Sequence, residues 1–320
     1  MHMADALLSP AVAVTMYAAS AAAAGVSLVQ LHKEETAAPE TAKKKLPTMA
    51  VMSALVFAGQ MINYTIPGTG SSGHLCGGML LSAMLGPWAG FLSMIVILAI
   101  QALFFADGGL LALGANVWNM AFYGCFVGYF LIYRPLMQEN LSAGKARLRL
   151  TLASVLGCVV TLQLGAFSVV LETTLSGITA LPLGAFAALM QPIHLAIGLV
   201  EGLITAAVLL FVYQTRPELL QGAAGTGAKN RCSRKAALAI LAAAALVIGG
   251  GLSLLASSSP DGLEWSLFGN EEAGYSANMG LDEEQYGAQS AAAEKAAAVQ
   301  EKTSFLPDYG FADSDSAAGT

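Results

Sequence analysis

The sequence predicts an all-α fold, a polytopic transmembrane helix bundle of about seven helices plus one C-terminal span. Three observations lead there. Of 320 residues, 56% are hydrophobic and 11% charged, and the mean hydropathy is +0.63, a balance outside the range of soluble domains. The apolar residues gather in stretches mostly long enough to cross a ~30 Å hydrocarbon core as helices. Lysine and arginine fall between alternate stretches, as cytoplasmic loops require.

The first stretch, residues 6–31, has Asp5 ahead of it and a lysine cluster behind it. That order marks an anchor with its N-terminus outside. The run "AASAAAAG" (18–25) resembles a signal-peptide cleavage region, but a signal peptide places its positive charge first. Small residues at 19–25 also permit close helix packing. Residues 48–62 form the second span. The stretch 75–105 is interrupted by "LGPWAG" (85–90), where Gly86 and Pro87 divide it into a short third span and a fourth. Residues 110–132, 149–174, 183–213 and 236–256 supply the fifth to the eighth.

Of 15 basic residues, Lys33, Lys43, Lys44 and Lys45 lie between spans one and two, and Arg134, Lys145, Arg147 and Arg149 between five and six. Arg216, Lys229, Arg231, Arg234 and Lys235 lie between seven and eight. Loops 32–47, 133–149 and 214–235 therefore share the cytoplasmic side, while 63–74, 106–109 and 175–182 contain no lysine or arginine. The N-terminus and the tail after residue 256 are expected outside a cell membrane crossed many times. The net charge of -6 comes largely from residues 257–320, whose Ser, Ala, Gly and Glu content predicts disorder. Cys76, Cys125, Cys158 and Cys232 lack a CxxC spacing and read as small core residues.

Four histidines are present. On this topology His2 and His74 both lie outside, His32 at the cytoplasmic end of span one and His194 within span seven. His74 ends "NYTIPGTGSSGH" (63–74), an irregular segment that at membrane depth must be covered by protein or line a polar cavity. The Met1 amine, the amide nitrogen joining Met1 to His2, and Nδ1 of His2 are spaced to close a five-membered and then a six-membered chelate ring. One imidazole nitrogen from His74 completes a square-planar four-nitrogen set, which suits Ni(II) or Cu(II) rather than tetrahedral zinc. Asp5 is placed either to orient the His2 ring or the N-terminus, or to cap the start of span one. Asp107, in "ADGG", reads as turn chemistry. Asn116 and Asn119 read as interhelical hydrogen bonders. Glu172 and Glu201 are intramembrane carboxylates; Glu172, near an outer end, is expected to be hydrated, and Glu201 must be paired, protonated or facing a cavity.

With these residues in place, the chain resembles the CbiM/NikM family, the nickel/cobalt substrate-binding components of energy-coupling-factor ABC transporters. The resemblance rests on His2, Asp5 and "LLSP" (7–10), on "GQMINYTIPGTGSSGHLCGGMLLSAMLGPWAGFLSM" (59–94), on "DGGLLALGANVWNMA" (107–121) and on "HLAIGLVEGLITAAV" (194–208). Ala6 departs from the glycine usual in the family at that position. The resemblance implies that Met1, His2 and His74 hold Ni2+ or Co2+ as transported substrate, with a transmembrane coupling protein and ATPase subunits as partners. It divides the chain into a metal-binding membrane domain (1–215), a cytoplasmic linker (216–235) and an accessory segment (236–320) with one transmembrane helix and an acidic extracytoplasmic tail. "SPDGLEWSLFG" (259–269) and "FLPDYGF" (305–311) resemble the small accessory component that some members carry as a C-terminal fusion.

No GxxxxGK[ST] sequence is present, so this chain is not itself the motor. A hydrolase built on His194 and Glu201 lacks a nucleophile and any HExxH spacing. An ion-coupled secondary transporter or channel using Glu172 and Glu201 is the competing reading, and it needs no free N-terminus.

Overall fold

The computed structural model describes residues 1–137, 142–178, 181–223, 231–274 and 290–309. Helix α1 (Pro10–Ala37) starts where Ser9 accepts the Val12 amide at 3.4 Å, with Pro10 in the first turn. Next come α2 (Pro39–Gln60), a hairpin of β1 (Tyr64–Ile66) and β2 (Ser71–Gly73), and the short α3 (Gly78–Leu85). Gly86 then interrupts the helix, and Pro87 opens α4 (Pro87–Phe104). Long helices α5 (Leu113–Leu136), α6 (Ala143–Ser176) and α7 (Leu183–Thr215) follow. Beyond them lie α8 (Arg234–Gly250), α9 (Gly262–Phe268) and α10 (Ala291–Thr303).

The protein is an all-α, multi-pass membrane bundle. Helices α1, α4, α5, α6 and α7 are each long and apolar enough to cross a bilayer. Large apolar residues such as Leu28, Leu175 and Leu246 remain exposed, as lipid-facing positions do in a bundle of this kind. Helix α6 packs on α7 and α5, α1 on α4 and α5, and α2 on α8.

The structure refines the sequence reading in two places. The short third span is α3, whose 8 residues reach about 12 Å at 1.5 Å per residue. The chain from His74 to Gly77 runs without regular structure into α3, every residue of which is buried. Such backbone is stable at membrane depth only because protein covers it. The tail is the second correction. Ser257 donates its amide to the Asn63 carbonyl (2.7 Å), Pro260 accepts from Ser72 (2.8 Å), and Leu306 donates to Phe104 (3.2 Å). The Gln300 amide adds bonds to the carbonyls of Ala102 (2.8 Å) and Gly108 (2.7 Å). Composition predicts disorder because it cannot register partners of this kind, which are irregular backbone groups on another part of the chain. Residues 275–289 and 310–320 of that tail lie outside the described residues.

Helices α3 and α5 meet backbone to backbone. A Cβ on Gly124 would stand 2.8 Å from the Gly78 Cα, whereas a Cβ on Gly25 in α1 meets nothing within 4 Å. Gly124→Val is therefore expected to lower the melting temperature in detergent, with a cost of about 1–3 kcal/mol for overpacking. Gly25→Val should leave it within error; equal melting of the two variants would contradict this packing.

Candidate metal site

The chain start is drawn into the bundle: Met1 is 4% exposed and Met3 0%. Asn116 of α5 holds it there, accepting the Met3 amide at 2.7 Å and donating to the Met3 carbonyl at 3.1 Å. Gly109 donates to that carbonyl as well, at 2.9 Å. Asp5 heads a short 3-10 turn (Asp5–Leu7) and accepts the Ala112 amide at 2.9 Å. Any side chain on Gly109 would fall inside the Asp5 carboxylate. Of the two roles open to Asp5, it serves the N-terminal turn through backbone, and the carboxylate that meets the His2 ring is Asp107.

His2 meets the end of α4 and the α4–α5 connection. Its Nδ1 is 3.1 Å from Asp107 Oδ1 and its Nε2 3.3 Å from Gln101 Oε1. Tyr309 closes this network, donating to Asp107 Oδ2 at 2.6 Å and accepting from the Gln101 amide at 3.1 Å. A neutral ring carries one proton, so it donates to one of these two acceptors at a time. The His2 ring stacks on His74 with centroids 5.1 Å apart and planes 27° from parallel.

His74 donates from Nδ1 to the Leu75 carbonyl (3.1 Å), which directs its Nε2 lone pair outward. That nitrogen is 3.3 Å from the Met1 amine. On the amine's other side stands Asp261, with Oδ2 at 2.6 Å. Its second oxygen caps α9, accepting the amides of Leu263 (2.8 Å) and Glu264 (2.9 Å).

Burial opposes charge on the Met1 amine, but the Asp261 carboxylate outweighs it and raises the amine above its ordinary value of 8.0. Burial would also favour a neutral Asp261; the amine and His74 beside it hold the carboxyl well below its usual range instead. His74 is lowered to about 3, by burial first and then by the amine. His2 is lowered by burial, with Asp107 opposing. Two neutral imidazoles thus sit beside two carboxylates and an amine.

Other predicted residues lie elsewhere. Glu172 is not hydrated: it is 5% exposed and accepts from Asn119 Nδ2 at 2.7 Å. It sits under the Met3 segment, since Asn119 also reaches the Met3 sulfur at 3.6 Å. Glu201 accepts backbone amides of Cys76 and Gly77 at 2.8 and 2.9 Å. His194 donates to the Met190 carbonyl at 2.8 Å, and its unpartnered Nε2 borders the small cavity shared by Met1, His74 and Asp261. Sequence reasoning passed over Gln101, Tyr309 and Asp261 and took Asp107 for a turn. Asp261 alone had a local signal, the D-x-x-E spacing of a capping box, which points to a helix start and not to a ligand partner.

Comparison with known proteins agrees with this architecture. Residues 2–219 match the family profile CbiM, described as a cobalt uptake substrate-specific transmembrane region, and residues 235–320 match the PDGLE domain. A relative in Archaeoglobus fulgidus, named there as a fused nickel transport protein NikMN, is 37% identical over 76% of this chain and 73% of its own length. The cobalt transport protein CbiM of Sorangium cellulosum is 33% identical over 54% of this chain and 76% of its own. The crystal structure of a truncated transition metal transporter superposes with a TM-score of 0.55 at 34% identity, covering 66% of this chain and 98% of that one.

The ion pair of Met1 with Asp261 has a testable pH window. An amine whose folded pKa is raised above 8.0 stabilises the fold fully below that value and loses the contribution as pH rises through the folded pKa. Asp261→Asn keeps an oxygen for the α9 cap and removes only the charge. The variant is expected to melt below the parent at pH 6–7, and the gap should close as pH climbs beyond about 8. A gap constant with pH would show that the charge on the amine is not what the pair contributes.

Proposed function

Because this chain belongs to the CbiM family and carries a PDGLE domain behind it, we propose that it captures Ni2+ or Co2+ from outside the cell at Met1, His2 and His74. It then delivers the ion across the membrane as the substrate-binding subunit of an ATP-driven energy-coupling-factor transporter. The observation that carries this reading is the convergence of the Met1 amine and His74 Nε2 at 3.3 Å, with the His2 ring stacked on His74.

In this reading the amine, the His2 amide nitrogen and His2 Nδ1 take three corners of a square and His74 Nε2 the fourth. An amine that donates to Asp261 has no lone pair to give. Loading therefore exchanges protons for the ion: one leaves the amine and one the amide, while the histidines, already neutral, contribute none. Asp261 and Asp107 draw the cation in and balance its charge once it is bound. Asp5 acts at one remove, by fixing the turn that presents Met1 and His2.

Delivery requires a motor that this chain lacks, so a transmembrane coupling protein and ATPase subunits are its partners. The bundle end opposite Met1 offers a groove of about 580 Å³ whose lining includes Trp88, Tyr129, Arg134 and Arg234. That is the face the partners would meet if the N-terminus is outside. A secondary transporter built on Glu172 and Glu201 has less support, because each carboxylate is engaged by its own protein donors.

Three measurements on the full chain in detergent test the reading. His74→Ala should weaken Ni2+ binding on the order of 100-fold or more while the protein stays folded. One alanine inserted between Met1 and His2 should be nearly as damaging as His2→Ala, because the added backbone nitrogen changes ring size and donor count; retention of Met1 is checked by mass spectrometry. Parent-like Ni2+ affinity of the insertion variant would refute the N-terminal chelate. Titration in weak buffer should release about two protons per ion, and release near zero would point to a site made of side chains alone.

A further inference from the structure

We infer that Glu201, in the middle of α7, is a positioning residue that sets His74 at the reach of the Met1 amine. Glu201 is 1% exposed, and no lysine or arginine pairs with it among the described residues. A carboxylate so buried is costly unless donors surround it. The donors here belong to the polypeptide that follows His74. Oε2 accepts the Cys76 amide at 2.8 Å and Oε1 the Gly77 amide at 2.9 Å, with the Cys158 thiol reaching Oε1 at 3.8 Å.

The same short segment is held from its other side. Gln60, the last residue of α2, donates to the Cys76 carbonyl at 2.8 Å. One turn before Glu201 on α7, Ile197 closes on Gly73, where an added Cβ would meet its Cδ1 at 2.9 Å. The Ile197 carbonyl also accepts from Tyr64 of β1 at 3.2 Å. Helix α7 thus grips the residues on both sides of His74, while the ring itself donates to the adjacent Leu75 carbonyl and meets the Met1 amine and the His2 ring. Irregular backbone covered by protein has amides with no ladder partner, and Glu201 supplies acceptors for those of Cys76 and Gly77. Without them the segment would settle elsewhere, and His74 Nε2 would lose its 3.3 Å approach to the Met1 amine.

This inference rests on His74 being the fourth ligand, and the test separates the two ideas. Ni2+ and Cu2+ are titrated into the full chain in detergent for the parent, Glu201→Gln, His74→Ala and the double variant. Binding is read as affinity and as the visible or paramagnetic-resonance signature that distinguishes four nitrogens from three. Amide exchange over residues 74–80 is followed in parallel. Glu201→Gln keeps shape but presents an NH2 where an acceptor is needed. It is expected to lose roughly tenfold or more in affinity, to show the three-nitrogen signature of His74→Ala, and to exchange faster over 74–80. The double variant should bind no more weakly than His74→Ala.

A parent-like signature and affinity for Glu201→Gln, or additive losses in the double variant, would overturn the positioning role. Should His74→Ala bind like the parent, the ligand assignment fails instead; exchange then decides, with an unchanged 74–80 segment overturning the inference and local acceleration supporting it. Gln60→Met, which releases the Cys76 carbonyl from the opposite side, gives the same readouts if Glu201→Gln does not fold.

Discussion

A protonated amine with almost no exposure cannot persist in a membrane protein without a counter-charge. Met1 meets that requirement through Asp261, at 2.6 Å. Much else follows from this pair. Asp261 can present one oxygen inward because its other oxygen is fixed by the first turn of α9. Helix α9 in turn rests on α7 and on the hairpin, and a parallel bridge joins Ser72 to Asp261. The hairpin leads directly into His74. Thus the ion pair, the C-terminal segment and the second histidine share one mechanical frame.

Acidic residues in this protein are stabilised in two different ways. At the mouth, Asp107 and Asp261 face nitrogen bases, and their neighbours are an imidazole and an amine. Deeper in the bundle, Glu172 and Glu201 meet amide donors that carry no charge. In the proposed function the first arrangement permits exchange, since a base that holds a proton can hold a metal in its place. The second favours rigidity, because amides bonded to a carboxylate have nothing to exchange for. The groups around Met1 and the support beneath them use acidic side chains in different company.

The sequence revealed most where physics is local. Hydropathy and the Gly86–Pro87 break gave the order of the helices, because span length and proline chemistry need no tertiary context. The pairing of His2 with His74 came from chain topology, which put both on one side of the membrane. What escaped depended on distant partners. Asp107 looked like a turn because "ADGG" is one, and nothing nearby shows that its carboxylate faces a ring some hundred positions earlier. Tyr309 sits in a tail whose composition resembles disorder, yet it bonds across 202 positions. Glu201 was recognisable as costly, but its partners are backbone amides, which every residue except proline has and which no pattern can single out.

The hydrogen bond from Met1 to Asp261 joins groups 260 positions apart. On a ribosome working at ordinary speed, roughly 10–50 s separate the synthesis of its two members. Throughout that interval the Met1 amine lacks its nearest counter-charge, and Asp107 is the carboxylate already present beside it. The mouth of the bundle is therefore completed only after the C-terminal segment has been made, although its first residues are made first.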